Sequence, residues 1–182
     1  MVYVVPVVVL KPVISPRVND NKKKRIIETF GLVDKYVAEL EKPREKVLKI
    51  LSSLDRMFSR EWNPAVGKYQ PCISPEGLMA ALKNASGHAG KETGKNGVWG
   101  LYFDEKCVCI DSKYITKKNG EKSLVNFEFV VPKSLGLIVL DSADSIPAEL
   151  RVRLCYVGGW ISRKYGLIKI LWEEGRETSM RV

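Results

Sequence analysis

The chain has 182 residues, with 30 Lys and Arg against 21 Asp and Glu and a formal net charge of +9. A composition of 45% hydrophobic and 28% charged residues excludes the disordered class, and a chain of this length buries a core without disulfide, metal or cofactor staples. Its apolar run from Val2 to Leu10 is broken by Pro6, is shorter than the roughly 20 residues of a membrane span, and follows no basic segment. The chain therefore reads as an intracellular, cytoplasmic protein with no membrane partner.

Gln70 is the only glutamine beside abundant Lys and Glu, a bias of high-temperature proteins. In such a cytosol disulfides do occur, so a bridge from Cys72 or Cys155 stays open.

The β-branched stretch 2–10 predicts a strand in which Pro6 need not donate a hydrogen bond. From Asp20 to Leu40 the residues Ile26, Phe30, Val33, Val37 and Leu40 keep the spacing of one helical face. Pro43 suits the first turn of a second helix whose stripe is Val47, Ile50, Leu54 and Phe58, and the short joint between them implies an antiparallel hairpin over 20–60. Ser74-Pro75-Glu76 starts a third helix that should stop at Gly87, before a mobile loop over 87–97.

After Gly97 the strand candidates are 98–103, 107–115, 123–131, 135–140, 151–157 and 167–172. Asn119-Gly120 predicts a type I′ hairpin turn. The expected architecture is α+β in a single domain over 1–182, with a helical hairpin and a short third helix on a mainly antiparallel β-rich portion at 97–172.

A net charge of +9 attracts polyanions, nucleic acid first. Three groups of cations are candidates. Lys22, Lys23, Lys24 and Arg25 occupy the first turn of a helix, where the macrodipole disfavours them and a phosphate would compensate. Lys117, Lys118 and Lys122 surround the hairpin tip as a basic finger. Arg151 and Arg153 alternate with Val152, Leu154 and Tyr156, and Trp160, Arg163 and Lys164 follow, an interleaving of cations and aromatics that suits nucleic acid. The expected function is phosphate-backbone binding with little sequence preference. An assembly subunit is the alternative that involves no catalysis, and a protein partner or homo-oligomer stays open.

As an enzyme the chain offers little. His88 is the only histidine, which leaves Ser-His and Cys-His mechanisms one candidate base, and Cys107 and Cys109 lack the second ligand pair of a zinc site. Lys91 is followed by Glu92, where a phosphate-binding loop needs Ser or Thr. Asp111-Ser112-Lys113, with Asp104 upstream and Glu76 on the third helix, resembles the PD-(D/E)xK nucleases. That resemblance implies paired carboxylates on Mg²⁺ and a lysine that activates water. Yet Asp104 follows its own strand and only six residues separate it from Asp111, where the family pattern sets a strand and turn between the acids.

Overall fold

Val2–Val9 forms strand β1, and its β-branched residues bury alternately toward both sides. This is the computed structural model of the chain, and it describes residues 1–89 and 96–182. Of the loop expected at 87–97, residues 90–95, Lys91 and Glu92 included, lie outside the described residues.

In chain order there follow β2 (Val13–Ile14), α1 (Asp20–Thr29), α2 (Leu32–Leu40), α3 (Arg44–Ser52), β3 (Leu54–Arg56), β4 (Ser59–Asn63), β5 (Lys68–Ile73) and α4 (Pro75–Ser86). The second half holds β6 (Val98–Phe103), β7 (Val108–Thr116), β8 (Lys122–Val130), β9 (Leu135–Leu140), β10 (Leu154–Tyr156), β11 (Leu167–Ile170) and β12 (Arg176–Thr178). The larger sheet runs β10-β11-β1-β9-β6-β5-β4, with β12 also on β1. A smaller sheet has β8 at its centre, β7 on one edge, and β2 and β3 on the other. All named pairs are antiparallel except β3 with β8. The fold is α+β, as expected.

β1 lies inside the larger sheet, between β9 on one side and β11 with β12 on the other. Pro6 falls where the pairing passes from Val4 on β12 to Val7 on β11, so its missing N–H costs no ladder bond. Its carbonyl accepts from Leu171 N at 2.9 Å.

Two cores result. Leu78, Met79, Ala81 and Leu82 of α4 pack on the larger sheet with Val5, Leu101, Phe103 and Ile138. Ile26, Ile27, Leu32, Tyr36, Val47 and Leu51 of α1, α2 and α3 form a second core with Leu54 and Met57, and Ile110 of the smaller sheet packs against it.

The structure corrects several expected elements. The helix expected over 20–40 is two, because Gly31 takes φ 61 and restarts the chain as α2. The helical spacing of apolar residues continues across that break. α3 ends at Ser52, where Ser53 Oγ donates to Ile50 O at 2.7 Å, and Leu54 and Phe58 are buried as residues of extended chain. The α2–α3 hairpin itself is present, turned through Glu41 at φ 52.

The sheet also extends into the N-terminal half. β4 and β5 form a hairpin around Pro64–Gly67, in which Asn63 Oδ1 accepts from Ala65 N at 2.9 Å and Gly67 N donates to Asn63 O at 2.8 Å. All four cysteines are free, so no bridge forms from Cys72 or Cys155, and burial pushes both of these thiols up to about 12.

A buried charge network ties the two layers together. Arg60 of β4 donates to both carboxylate oxygens of Glu128 on β8, at 2.7 and 2.9 Å, and to Glu105 at 3.0 and 2.8 Å. Tyr36 OH and Phe58 N also donate to Glu128, at 2.5 and 3.0 Å. Lys35 Nζ donates to Glu105 Oε1 at 2.9 Å and to Val108 O at 3.0 Å. Burial alone would raise the Glu105 carboxyl, but Arg60 and Lys35 outweigh it and hold the group below the usual carboxylate range. Every charge here has partners, so the network joins α2, β4 and β8 rather than offering a ligand site.

Candidate nucleic-acid interface

Arg17 and Arg56 define the centre of the candidate site. They pair across an isolated antiparallel bridge, which projects both side chains to one side. Met57 N donates to Pro16 O at 3.1 Å and Val18 N to Asp55 O at 3.3 Å, so backbone bonds fix the pairing. Neither arginine has a salt bridge among the described residues. Partial burial, then the charge of Arg17, lower the Arg56 pKa against a smaller opposing effect of Asp55. Two like charges placed together at a cleft need an anion between or beside them to be favourable.

Arg56 is held by its surroundings. Its guanidinium lies over the Trp160 ring, 4.9 Å from the centroid, and donates to Ser15 O at 3.3 Å. Gly159 makes the approach possible, since a Cβ there would run into Arg56 Nη1 and come within 3.0 Å of Ser15 O. Gly158, at φ 85, brings the same backbone against Ile14 O. Trp160 takes φ 54, an uncommon conformation for a bulky residue, and its ring also meets Phe127 at 4.9 Å and Tyr165 at 5.9 Å.

Two clefts adjoin at this pair and share Arg17, Val18 and Arg56. The first, about 600 Å³, is bordered by Lys22, Ser74, Gly77, Tyr156, Gly159 and Ile161. The second, about 660 Å³, is bordered by Lys117, Trp160, Ser123 and Val125. Asp20 and Asp55 also line the second, and each has an internal partner: Lys23 Nζ at 3.3 Å for Asp20, and Asn126 N at 3.2 Å for Asp55.

Lys22 from the start of α1, Lys117 from the β7–β8 hairpin and Trp160 come from the three separate expected groups, and Lys22 borders the first of the adjoining clefts while Lys117 and Trp160 border the second. Arg17 and Arg56 were not among the expected residues. Arg56 falls in the stretch expected as the second helix, and its pairing with Arg17 joins segments far apart in sequence.

Other expected cations are placed differently. Lys23 is buried, and its ammonium donates to Ser52 O at 2.6 Å and Leu54 O at 3.0 Å, which closes the end of α3 instead of facing a phosphate. Lys24 and Arg25 are exposed, and Lys24 borders a groove with Leu48 of α3. Arg151 is exposed, with its guanidinium bonded to Ile146 O and Ala143 O at 3.0 and 2.5 Å. The expected strand over 151–157 starts only at Leu154, and Cys155 rather than Leu154 is buried, so Arg151 and Arg153 make no basic sheet face. Arg153 and Arg163 are exposed, and Lys164 Nζ lies over the Tyr156 ring at 5.7 Å.

Lys118 and Lys122 are exposed at the hairpin. Its turn is not type I′: only Gly120 has positive φ, at 85, with Gly120 N donating to Lys117 O and Lys117 N to Glu121 O. This is a three-residue loop closed by a bulge at glycine.

The residues of the nuclease resemblance do not gather. Asp104 Oδ1 accepts from Lys106 N at 3.0 Å, Asp111 Oδ1 from Ser112 N at 2.8 Å, and Lys113 Nζ donates to Tyr165 OH at 2.5 Å. Glu76 lies in the first turn of α4. Among the described residues no three His, Cys, Asp or Glu side chains are grouped to hold a metal ion such as Mg²⁺.

No helix among the described residues is long and apolar enough to cross a membrane. No family model matches the chain, and no curated protein matches it. Among solved structures, a chain from "Cryo-EM structure of the Type III-B Cmr-beta bound to cognate target RNA" is 7% identical, with 94% of this chain and 96% of that chain covered and a TM-score of 0.32. A score of that size does not establish a shared fold.

Proposed function

We propose that the protein binds nucleic acid, holding the phosphate backbone in the trough that Arg17 and Arg56 divide. One observation supports this reading above the others: two bridged arginines with no ion pair among the described residues stand where the adjoining clefts meet, with Lys22 and Lys117 on either side. Charge-assisted bonds from guanidinium to phosphate are short, bidentate and strong, and they relieve the repulsion between the two arginines. Lys24, Arg25, Lys118, Lys122, Arg153, Arg163 and Lys164 extend the positive surroundings, while Lys23 and Arg151 serve the fold. Because phosphate contacts carry no base identity, binding shows little sequence preference.

Filter binding of the protein to mixed-sequence RNA and DNA, at about 50 and 200 mM salt, tests this. Retention at low salt that falls steeply at high salt is expected. No retention of either polymer at low salt rejects the reading.

A further inference from the structure

We infer that the trough is shaped for a single-stranded polynucleotide rather than a duplex; this rests on the nucleic-acid reading above and names its substrate class. The cations line the inside of two clefts, about 600 and 660 Å³, and such volumes are those of small-molecule pockets. A duplex presents its phosphates along a broad cylinder whose grooves take in whole helices or ribbons, so it meets cations on projecting elements. A flexible single strand can lower individual phosphates and bases into a recess.

The aromatic placement supports the same reading. Trp160 is only partly buried and borders the second cleft, and the Arg56 guanidinium carbon lies over its ring, 4.9 Å from the centroid. Tyr156 borders the first cleft. Unpaired bases stack on aromatic rings and on arginine planes, and paired bases inside a helix cannot.

The chain also accepts strain to build this stack. Trp160 is held at φ 54 by bonds from Arg163 N and Tyr165 N to its carbonyl, at 2.9 and 3.4 Å. Gly159 leaves the space in which the guanidinium lies. Backbone strain kept at a cleft is a feature of binding sites. The strand would run from Lys22 and Tyr156, across Arg17 and Arg56, to Trp160 and Lys117.

The test is fluorescence anisotropy with labelled, unstructured 12-nucleotide RNA and DNA strands and with a blunt 12-base-pair duplex, all at low salt. Single strands of at least one sugar type should bind at least about tenfold tighter than the duplex, since stacking adds only to the single strand. Trp160→Ala should lower single-strand affinity by about tenfold more than it lowers duplex affinity. Arg56→Lys, which keeps the charge and loses the plane, provides the same comparison if Trp160→Ala folds poorly. A duplex bound as tightly as either strand, or Arg56→Lys weakening strand and duplex equally, overturns the inference while leaving nucleic-acid binding intact. No binding to any of the three overturns both.

Discussion

Arg17 and Arg56 face one another across a backbone bridge, and no carboxylate among the described residues forms a salt bridge with either. Folding has placed two like charges together. Gly158, Gly159 and Trp160 frame the arrangement, with Gly159 N bonded to Ile14 O at 2.8 Å and the Trp160 ring against Phe127 and Tyr165.

Lys22 and Lys23 are adjacent in sequence and opposite in consequence. Lys23→Met removes the donor to Ser52 O and Leu54 O and leaves those carbonyls short of a partner, so it should cost about 1–3 kcal/mol of stability. Lys22→Ala should leave the melting temperature unchanged and weaken nucleic-acid binding. Thermal melts and anisotropy on both variants check this, and the reverse pattern would contradict the placement of α1.

Glu128 is fully buried against Arg60. Glu128→Ala leaves the buried Arg60 guanidinium paired with Glu105 alone and should cost about 3 kcal/mol in urea unfolding. The double replacement Arg60→Met with Glu128→Leu should recover much of that loss, because neither charge then remains to be solvated.

Glu105 introduces a pH dependence. Its folded pKa lies below its unfolded value of about 4.3, so the stabilisation is present above that pH and is lost as pH falls through the folded value. Melting temperature followed downward from neutral pH should begin to fall below about pH 4.3, and the fall should be shallower in Glu105→Gln.

The two adjacent glycines separate stability from binding. Gly158→Ala forces a left-handed alanine into Ile14 O and should lower the melting temperature, by about 2–4 °C per kcal/mol lost. Gly159→Ala meets chiefly the movable end of Arg56, so its larger effect should be weaker nucleic-acid binding as the guanidinium leaves Trp160.

Much of this fold was legible in the sequence where local signals were strong. Ser74-Pro75 and Gly87 bracket α4 as expected, and β6 and β9 have their expected limits. The stretch 54–58 differs from the helix expected there because Leu54 and Phe58 happen to continue the helical spacing of α3. Extended chain buries both equally well, Leu54 in the core of α1, α2 and α3 and Phe58 against the larger sheet, so periodicity alone could not separate the two. The hairpin around Pro64 and Gly67 had a turn signature that supports the strand reading.

The site was legible only in part. Lys22, Lys117 and Trp160 are recognisable by residue type, but their convergence depends on β3 crossing to β8 and on Arg17 reaching Arg56, contacts between distant segments that no local pattern encodes. Lys23 shows the opposite limit. Its charge suggested phosphate, and only the position of the α3 carbonyls reveals its use.

If Arg17 and Arg56 together neutralise phosphate, the salt dependence of affinity measures it. The logarithm of the binding constant against the logarithm of salt concentration should be steep for the native protein. In Arg17→Gln/Arg56→Gln the slope should be shallower by about 1.4, the loss of two single-strand phosphate contacts at roughly 0.7 each. A double variant with unchanged affinity and slope would show that phosphates are held elsewhere.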